Sequence, residues 1–242
     1  MTLKRIISDF SICFAALFFA GVSGSEARGK ITLEIPKGFA GIFAYGSLIS
    51  RPSMEGSLGH KYDGPIHDAH LKDHERVWTC VRPWNDPRAP AAPEKRPNGY
   101  ILRDKERIFI LGTAELNLSP KKEGRVNGVL YLLTDEELRK FDQREWGYRR
   151  KDVTGKIEEF RFRGGKVYAY EGSQQSRPSS PLDKGTYILI KEFLDEVTRA
   201  CDTRGKIFRD EFDKSTTMCT YPVVSFKDII WEKLNSHPYT LQ

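Results

Sequence analysis

The chain has 242 residues, of which 39% are hydrophobic and 30% are charged, and its formal net charge is +6. This length is sufficient for a hydrophobic core without disulfide or metal staples, and the composition is that of an ordinary soluble globule. Acidic residues are interleaved with the 39 basic ones nearly everywhere, as around Lys95 and Lys140. The charge therefore predicts a solvated surface and argues against a nucleic-acid partner.

The first 27 residues have the pattern of a signal peptide. Lys4 and Arg5 precede a mostly apolar run at 10–22, and residues 25–27 offer small side chains at the two positions that a signal peptidase reads. The apolar run is shorter than the ~20 residues that cross a bilayer comfortably. We therefore expect residues 1–27 to be a cleaved signal peptide.

The remaining residues, 28–242, are predicted to form a single domain. Cleavage would export this domain to the periplasm or the medium and leave it without stable membrane contact. Asp9, at the front edge of the apolar run, is an awkward charge for a signal peptide. It leaves open the alternative of an uncleaved membrane anchor.

Cysteine usage does not decide the redox compartment. The mature chain retains Cys80, Cys201 and Cys219, an odd number without C-x-x-C spacing. A disulfide between Cys201 and Cys219 and three unpaired thiols both remain open. The spacing supports neither zinc binding nor thiol catalysis.

The first predicted strands lead into a tight loop. Residues 31–35 alternate apolar and polar side chains, and 41–45 form a buried strand that ends at Gly46 and Ser47. Glycine there can adopt backbone angles closed to other residues, so neighbouring N–H groups can converge on an anion or an oxyanion, with the Tyr45 ring as a wall. Read alone, the pattern also fits a plain turn. The following residues, 51–65, are expected to be loop-rich.

Three histidines, His67, His70 and His74, have a spacing that would place them on one face of a helix and suggest a metal site. However, Gly64-Pro65 precedes them and residues 77–81 have strand composition. An extended segment is therefore expected, and no metal site is predicted.

The middle of the chain is predicted to contain a surface excursion and a pair of strands. Clustered prolines at 83–97 favour an excursion or lid over the domain surface. Residues 108–114 and 126–133 are apolar runs of strand length, expected to pair antiparallel.

Thr134 and Glu137 form a capping box that starts a short helix, and Gly147 is expected to stop it in a left-handed cap. A hairpin is expected from 148–153 and 157–162. Another strand is expected at 167–170.

The last third of the chain is predicted to be mainly helical. A loop is expected at 174–183. Helical spacing of apolar residues at 187–197 predicts the main helix, and apolar residues at 229–234 predict a closing C-terminal helix.

Glu145 is the candidate general base. It follows the short helix, whose C-terminus carries partial negative charge, and apolar Trp146 limits water, so both features raise its pKa. Arg144, Arg149 and Arg150 act in the opposite direction. If one of them pairs with Glu145, the residue is a structural salt bridge instead.

Together, Tyr45-Gly46-Ser47-Leu48 and the segment 142–148 (Asp-Gln-Arg-Glu-Trp-Gly-Tyr) resemble the γ-glutamylcyclotransferase family, including its ChaC and γ-glutamylamine branches. The resemblance covers roughly Gly41 to Tyr170. It implies an α+β fold, a small mixed β-barrel flanked by helices, with no metal and no organic cofactor. It also implies release of 5-oxoproline from a γ-glutamyl amine or peptide, the small-molecule partner, by intramolecular aminolysis.

The resemblance also implies residue roles. Glu145 would be the catalytic acid and base. The substrate would be bound by Tyr45, Gly46, Ser47, Leu48, Tyr148 and Tyr170. Two alternatives remain: a serine hydrolase using Ser47, although G-x-S-x-G is lacking, and a non-catalytic small-ligand-binding module on the same fold.

Overall fold

A computed structural model of the chain describes residues 30–84, 86, 98–172 and 185–232. The predicted signal peptide, the loop at 174–183 and nearly all of the proline-rich excursion lie outside these residues, so those expectations stay predictions. Within the described ranges, none of the helices has the length and apolar character needed to cross a membrane.

The described residues form an α+β fold, which confirms the predicted class. The strands are β1 (Ile31–Glu34), β2 (Phe39–Ala44), β3 (Ile66–Pro83), β4 (Asn98–Arg103), β5 (Glu106–Thr134), β6 (Tyr148–Asp152), β7 (Phe160–Arg163), β8 (Val167–Gly172), β9 (Gly185–Ile190), β10 (Val223–Val224) and β11 (Ile230–Glu232). The helices are α1 (Arg51–Leu58), α2 (Asp135–Arg144), α3 (Lys191–Thr203) and α4 (Lys206–Ser215).

The main sheet runs in the order β10-β9-β5-β2-β8-β6, with β3 and β4 also paired to β5 and β11 to β4. β1 pairs in parallel with β7 in a separate small sheet. Along this order the described strands do not close on themselves, so the expected β-barrel is an open sheet in this part of the chain. The core beneath it includes Phe43, Leu130 and Phe141, each at most 1% exposed.

The expected antiparallel pair at 108–114 and 126–133 is wrong, because both belong to the single long strand β5. Both halves pair with β3, with an irregularity where Asp73 takes a positive φ of 56°. The polar segment before Gly124 therefore bends the strand instead of turning it back. A Cβ on Gly124 would lie 2.4 Å from the His74 carbonyl oxygen, so only glycine allows this approach.

The loop-rich expectation for 51–65 is also wrong, because α1 lies there. The Ser50 hydroxyl caps it by accepting from the Ser53 N–H at 3.3 Å, Pro52 stands in its first turn, and Gly59 ends it with φ 78°. These are ordinary helix-boundary residues.

The capping box of α2 is confirmed, with Thr134 and Glu137 bonded to each other's backbone N–H. The predicted role of Gly147 is wrong, since its φ is not in the left-handed region. Instead, the missing side chain admits Arg82, whose Nε would lie 3.3 Å from a Cβ on Gly147.

Three further predictions fail because strand pairing over long distances overrides local pattern. The expected hairpin does not form, since β6 pairs with β8 and β7 with β1. The helix expected from Tyr187 begins only at Lys191, because Tyr187 to Ile190 are buried in β9 between β5 and β10. The expected C-terminal helix is replaced by β11, which pairs with β4, and Leu234 lies outside the described residues.

The strand at 167–170 is confirmed as part of β8, and the extended conformation of the histidine segment as part of β3. Cys80, Cys201 and Cys219 are free thiols, so the disulfide that the sequence left open is not formed in this structure.

Candidate active site

The loop after β2 is fixed by its carbonyl groups. All four carbonyls of residues 45–48 accept hydrogen bonds from the fold. Arg76 Nε donates to Tyr45 at 2.7 Å, the Tyr131 hydroxyl donates to Leu48 at 3.0 Å, and the backbone N–H groups of residues 49 and 50 donate to the other two. The directions of the peptide groups in this loop are therefore set before any ligand arrives.

Gly46 does not use the left-handed region that the sequence suggested. Its φ is −129° and its ψ is −133°. A Cβ there would make ordinary contact with Leu116, 3.6 Å away. Lack of space alone therefore does not require a glycine at this position.

Glu145 lies at the C-terminal end of α2 and faces the same loop. Its backbone N–H donates to the Phe141 carbonyl at 2.8 Å, and its own carbonyl accepts from the Tyr148 N–H at 2.8 Å. The residue is 8% exposed. Both backbone contacts hold the side chain at the inner side of the helix end.

A cavity of about 230 Å³ lies between the loop and Glu145. It contains all seven residues that the sequence singled out, namely Tyr45, Gly46, Ser47, Leu48, Glu145, Tyr148 and Tyr170. The lining also includes Phe43, Ala44, Arg82, Glu115, Leu116, Arg144 and Phe193. Segments separated by about a hundred residues are thus brought together around one hollow.

Two arginines form long ion pairs with the Glu145 carboxylate, so the pairing with Arg144 that the sequence left open is present. Arg144 Nε lies 3.3 Å from Oε1, and Arg82 Nη2 lies 3.4 Å from Oε2. Both distances are long for charge-assisted hydrogen bonds, which are typically 2.7–2.9 Å. Burial raises the pKa of Glu145, and the charges of Arg144 and Arg82 only partly oppose that rise.

Arg144 is held mainly by serines. Its Nη2 donates to the Ser47 hydroxyl and to the Ser53 hydroxyl, both at 2.9 Å, and its Nη1 donates to Ser57 Oγ at 2.5 Å. The loop and α2 are therefore linked through one guanidinium. The Ser47 hydroxyl accepts a hydrogen bond from a cation.

The three tyrosines are each anchored through the hydroxyl. Tyr45 donates to the Tyr170 carbonyl at 2.5 Å, Tyr148 to the Leu116 carbonyl at 2.6 Å, and Tyr170 to Asp142 Oδ1 at 2.9 Å. Burial is the main cause of the raised pKa of all three. They are therefore neutral walls of the cavity.

The sequence reasoning missed Arg82 and Glu115. Each is the one charged residue of a locally apolar stretch, 77–83 of β3 for Arg82 and 108–118 of β5 for Glu115, and Cys80 pairs with Glu115 across the two strands. A single charge within such a stretch was the available signal. The face of the sheet on which each charged side chain lies depends on the register of β3 and β5, which the sequence does not show.

The histidines do not gather at this cavity. Both ring nitrogens of His70 contact carboxylates, Nδ1 with Glu159 at 2.6 Å and Nε2 with Glu211 at 2.9 Å. His70, Glu158 and Glu159 bring their ligand atoms within 4.8 Å of one another, but Arg125 neutralises the group through Glu158 at 2.7 Å. This cluster is an ion-pair network that joins β3, β5 and α4 to the residues just before β7.

Comparison with known proteins gives a family match and several distant structures. A structure of a gamma-glutamyl cyclotransferase is 12% identical, with 77% of this chain and 94% of that chain covered and a TM-score of 0.45. YkqA from Bacillus subtilis is 16% identical, with 78% and 57% covered and a TM-score of 0.46. An uncharacterized protein from Homo sapiens is 14% identical, with 78% and 95% covered and a TM-score of 0.40.

No curated protein matches the chain significantly. The family model described as gamma-glutamyl cyclotransferase, AIG2-like, matches residues 42–189, which is more than half of the chain and contains both the loop and Glu145. The chain belongs to the AIG2-like gamma-glutamyl cyclotransferase family.

Proposed function

We propose that the protein is a γ-glutamylcyclotransferase that releases 5-oxoproline from a γ-glutamyl amine or a γ-glutamyl peptide. The observation that carries this proposal is the cavity shared by the buried Glu145 carboxylate and the fixed loop at 45–48. Family membership supports a cyclotransferase-type reaction. The substrate and the role of Glu145 are our inference from the site.

The reaction is an intramolecular aminolysis. The α-amino nitrogen of the γ-glutamyl group attacks its own γ-carbonyl carbon, a five-membered ring closes, and the bond from that carbon to the leaving nitrogen breaks. The cavity would favour a curled substrate with amine and carbonyl held within ~3.5 Å, which supplies much of the advantage of an oriented reaction. The reaction involves no net oxidation or reduction, and every atom of the two products comes from the substrate. It therefore needs no cofactor.

Glu145 would carry the proton in this reaction. Its carboxylate takes a proton from the attacking amine and returns it to the leaving nitrogen, a role typically worth ~10²- to 10⁴-fold in rate. The raised pKa suits this role, because a more basic carboxylate accepts the proton more readily. The long contacts from Arg82 and Arg144 leave its oxygens accessible.

The loop would stabilise the negative charge that develops on the γ-carbonyl oxygen. Since the carbonyls of residues 45–48 are held by the fold, the peptide N–H groups of Gly46, Ser47 and Leu48 have fixed directions. Donors that need no reorganisation are the effective form of oxyanion stabilisation. Tyr148 and Tyr170 would bind the substrate as neutral walls.

A serine hydrolase using Ser47 is less well supported. The described residues that line the cavity include no histidine, and the Ser47 hydroxyl accepts from Arg144 instead of donating to a base. A non-catalytic binding module is separated from the enzyme by turnover alone.

The test is 5-oxoproline release by purified protein lacking the predicted signal peptide, with a panel of γ-glutamyl amines, γ-glutamyl dipeptides and glutathione. We expect turnover of at least one substrate, and a loss of at least ~10²-fold in kcat for Glu145→Gln. The matched control is Glu136→Gln, which makes the same change at an exposed position of α2. Equal turnover by Glu145→Gln would refute the mechanism, and no turnover with intact ligand binding would favour the binding module.

A further inference from the structure

Arg82 lies between two carboxylates of the cavity, and it contacts them unequally. Its Nε is 3.0 Å from Glu115 Oε2, whereas its Nη2 donates a long hydrogen bond of 3.4 Å to Glu145 Oε2. The Nε–H does not point at the Glu115 oxygen, so the shorter contact is an ion pair and not an aligned hydrogen bond. The nearer partner of this cation is therefore the carboxylate that the proposed reaction does not use.

The Arg82 guanidinium is held in this place from several sides. Its central carbon lies 5.2 Å from the centre of the Trp146 ring and 5.1 Å from that of Tyr148. Gly147 between them leaves room for the side chain, since a Cβ there would come within 3.3 Å of Nε. The three residues that follow Glu145 thus hold the Arg82 side chain in position.

We propose that Glu115 is a positioning residue of this site: by holding Arg82 to itself, it keeps that guanidinium from pairing closely with Glu145 and leaves the Glu145 carboxylate able to accept a proton. This inference rests on the proposed function, because it concerns the availability of the proposed base. It assigns a role to a residue that lies on a different strand and acts through Arg82.

Glu115 and Glu145 share the positive charge of Arg82. A buried arginine with a single carboxylate partner forms short, paired hydrogen bonds and strongly favours the ionised acid. With Glu115 at 3.0 Å, the Arg82 charge is already largely compensated, and Glu145 faces a nearly neutral pair. Both carboxylates raise the pKa of Arg82, and Glu115 contributes more than Glu145 does. Glu115 therefore interacts with Arg82 more strongly.

The other titratable groups around Glu145 do not change this balance. Arg144, at the end of the same helix, shares its charge with three serines. The neutral neighbours from β2, β3, β6 and β8 are Tyr45, Cys80, Tyr148 and Tyr170. Burial raises the pKa of Cys80 to about 11 and those of the tyrosines further, so all four stay protonated near neutral pH. Among the described residues that line the cavity, the charged ones beside Glu145 are Arg82, Glu115 and Arg144.

The experiment compares two substitutions that should act in opposite directions. In Glu115→Gln, Arg82 is released toward Glu145 and lowers its pKa. The acidic limb of the plot of kcat/KM against pH should then move to lower pH by about one unit, and kcat should fall by roughly threefold to tenfold. In Arg82→Gln, two buried carboxylates face each other without the cation between them. The acidic limb should then move to higher pH.

Two further variants separate positioning from general damage to the fold. Glu115→Asp keeps the carboxylate and should restore the acidic limb most of the way to its wild-type position. Arg125 is another charged residue of β5, and it pairs with Glu158 outside the cavity. Glu158→Gln removes this partner and should leave the acidic limb in place. A purely structural role for Glu115 would lower activity without moving the limb.

The inference is overturned if Glu115→Gln and Arg82→Gln shift the limb in the same direction or not at all. Should the wild-type protein release no 5-oxoproline, the proposed function fails, and the inference is judged by infrared titration of the Glu145 carboxyl band, identified as the band lost in Glu145→Gln. That band should titrate at lower pH in Glu115→Gln and at higher pH in Arg82→Gln. Any other order of the three midpoints refutes the proposal.

Discussion

Glu55 and Glu145 are two glutamates with the same exposure, 8%, and opposite electrostatic environments. Glu55, on α1, accepts from Arg51 Nε at 2.8 Å, from Lys61 Nζ at 2.9 Å and from the Tyr62 N–H at 3.1 Å. These donors, with Lys61 first, lower its pKa to about 2. It is a structural carboxylate, fully paired with charged and polar partners.

Among the described residues, the Glu145 carboxylate is contacted by Arg82 and Arg144 at long distances, and a cavity lies beside it. Burial dominates and raises its pKa. Low exposure therefore does not decide what a carboxylate does in this molecule. The number and alignment of its donors decide it, and an incompletely paired acid beside a hollow is one that can exchange a proton.

The largest expected effect is on the pH dependence of turnover. Glu145 must be ionised to accept the proton, so kcat/KM should fall about tenfold per pH unit below its pKa, which lies above the usual value for a glutamate. The Glu55→Gln variant should show the same limb, because Glu55 titrates near 2. If the acidic limb moved in Glu55→Gln, the distinction between the two glutamates would be wrong.

Ser47→Ala should have a smaller effect by making Glu145 more like Glu55. Arg144 loses the 2.9 Å bond to Ser47 and can turn toward Glu145, so we expect kcat to fall by up to about tenfold and the acidic limb to move down in pH. Ser57→Ala removes another Arg144 partner and should move the limb in the same direction, because it too releases Arg144. Complete loss of turnover in Ser47→Ala alone would point to an acyl-enzyme.

Local patterns in the sequence were sufficient for the parts of the site that are local. The presence of a loop after β2, the capping box at Thr134 and the position of Glu145 at the end of α2 could each be predicted from residues within one short segment. The helix α1 was also readable from Ser50 and Gly59, and was missed because its glycines and prolines suggested a loop.

Features that depend on strand pairing were not predictable in this way. The apolar residues at 187–197 have helical spacing, yet 187–190 belong to a strand because β5 and β10 lie on either side of it. Arg82 and Glu115 meet only because β3 and β5 pair in one register. The pattern of a single strand gives its alternation, but not which neighbour it will face.

The next expected effect is on stability, and its sign follows from the raised pKa of Glu145. Folding costs more when Glu145 is ionised, so its favourable contribution is present below the unfolded pKa and is lost as pH rises through the folded pKa. Glu145→Gln should therefore stabilise the protein at pH 7 and have little effect near pH 4. Urea unfolding at the two pH values measures this, and destabilisation at pH 7 would contradict it.

Glu55→Gln should show the opposite dependence, although its effect is the smallest because its partners Arg51 and Lys61 are exposed and screened by solvent. The lowered pKa means that the ionised form stabilises the fold above the unfolded pKa of about 4.5, and that this contribution is lost as pH falls through about 2. The variant should thus be less stable than wild type at pH 7, and the difference should shrink with acidification. High salt should reduce it at neutral pH, whereas the effect of Glu145→Gln in the buried cavity should change little with salt. If salt affected the stability of the two variants equally, the hydrogen-bond donors around Glu55 and Glu145 would not account for the difference between these two glutamates.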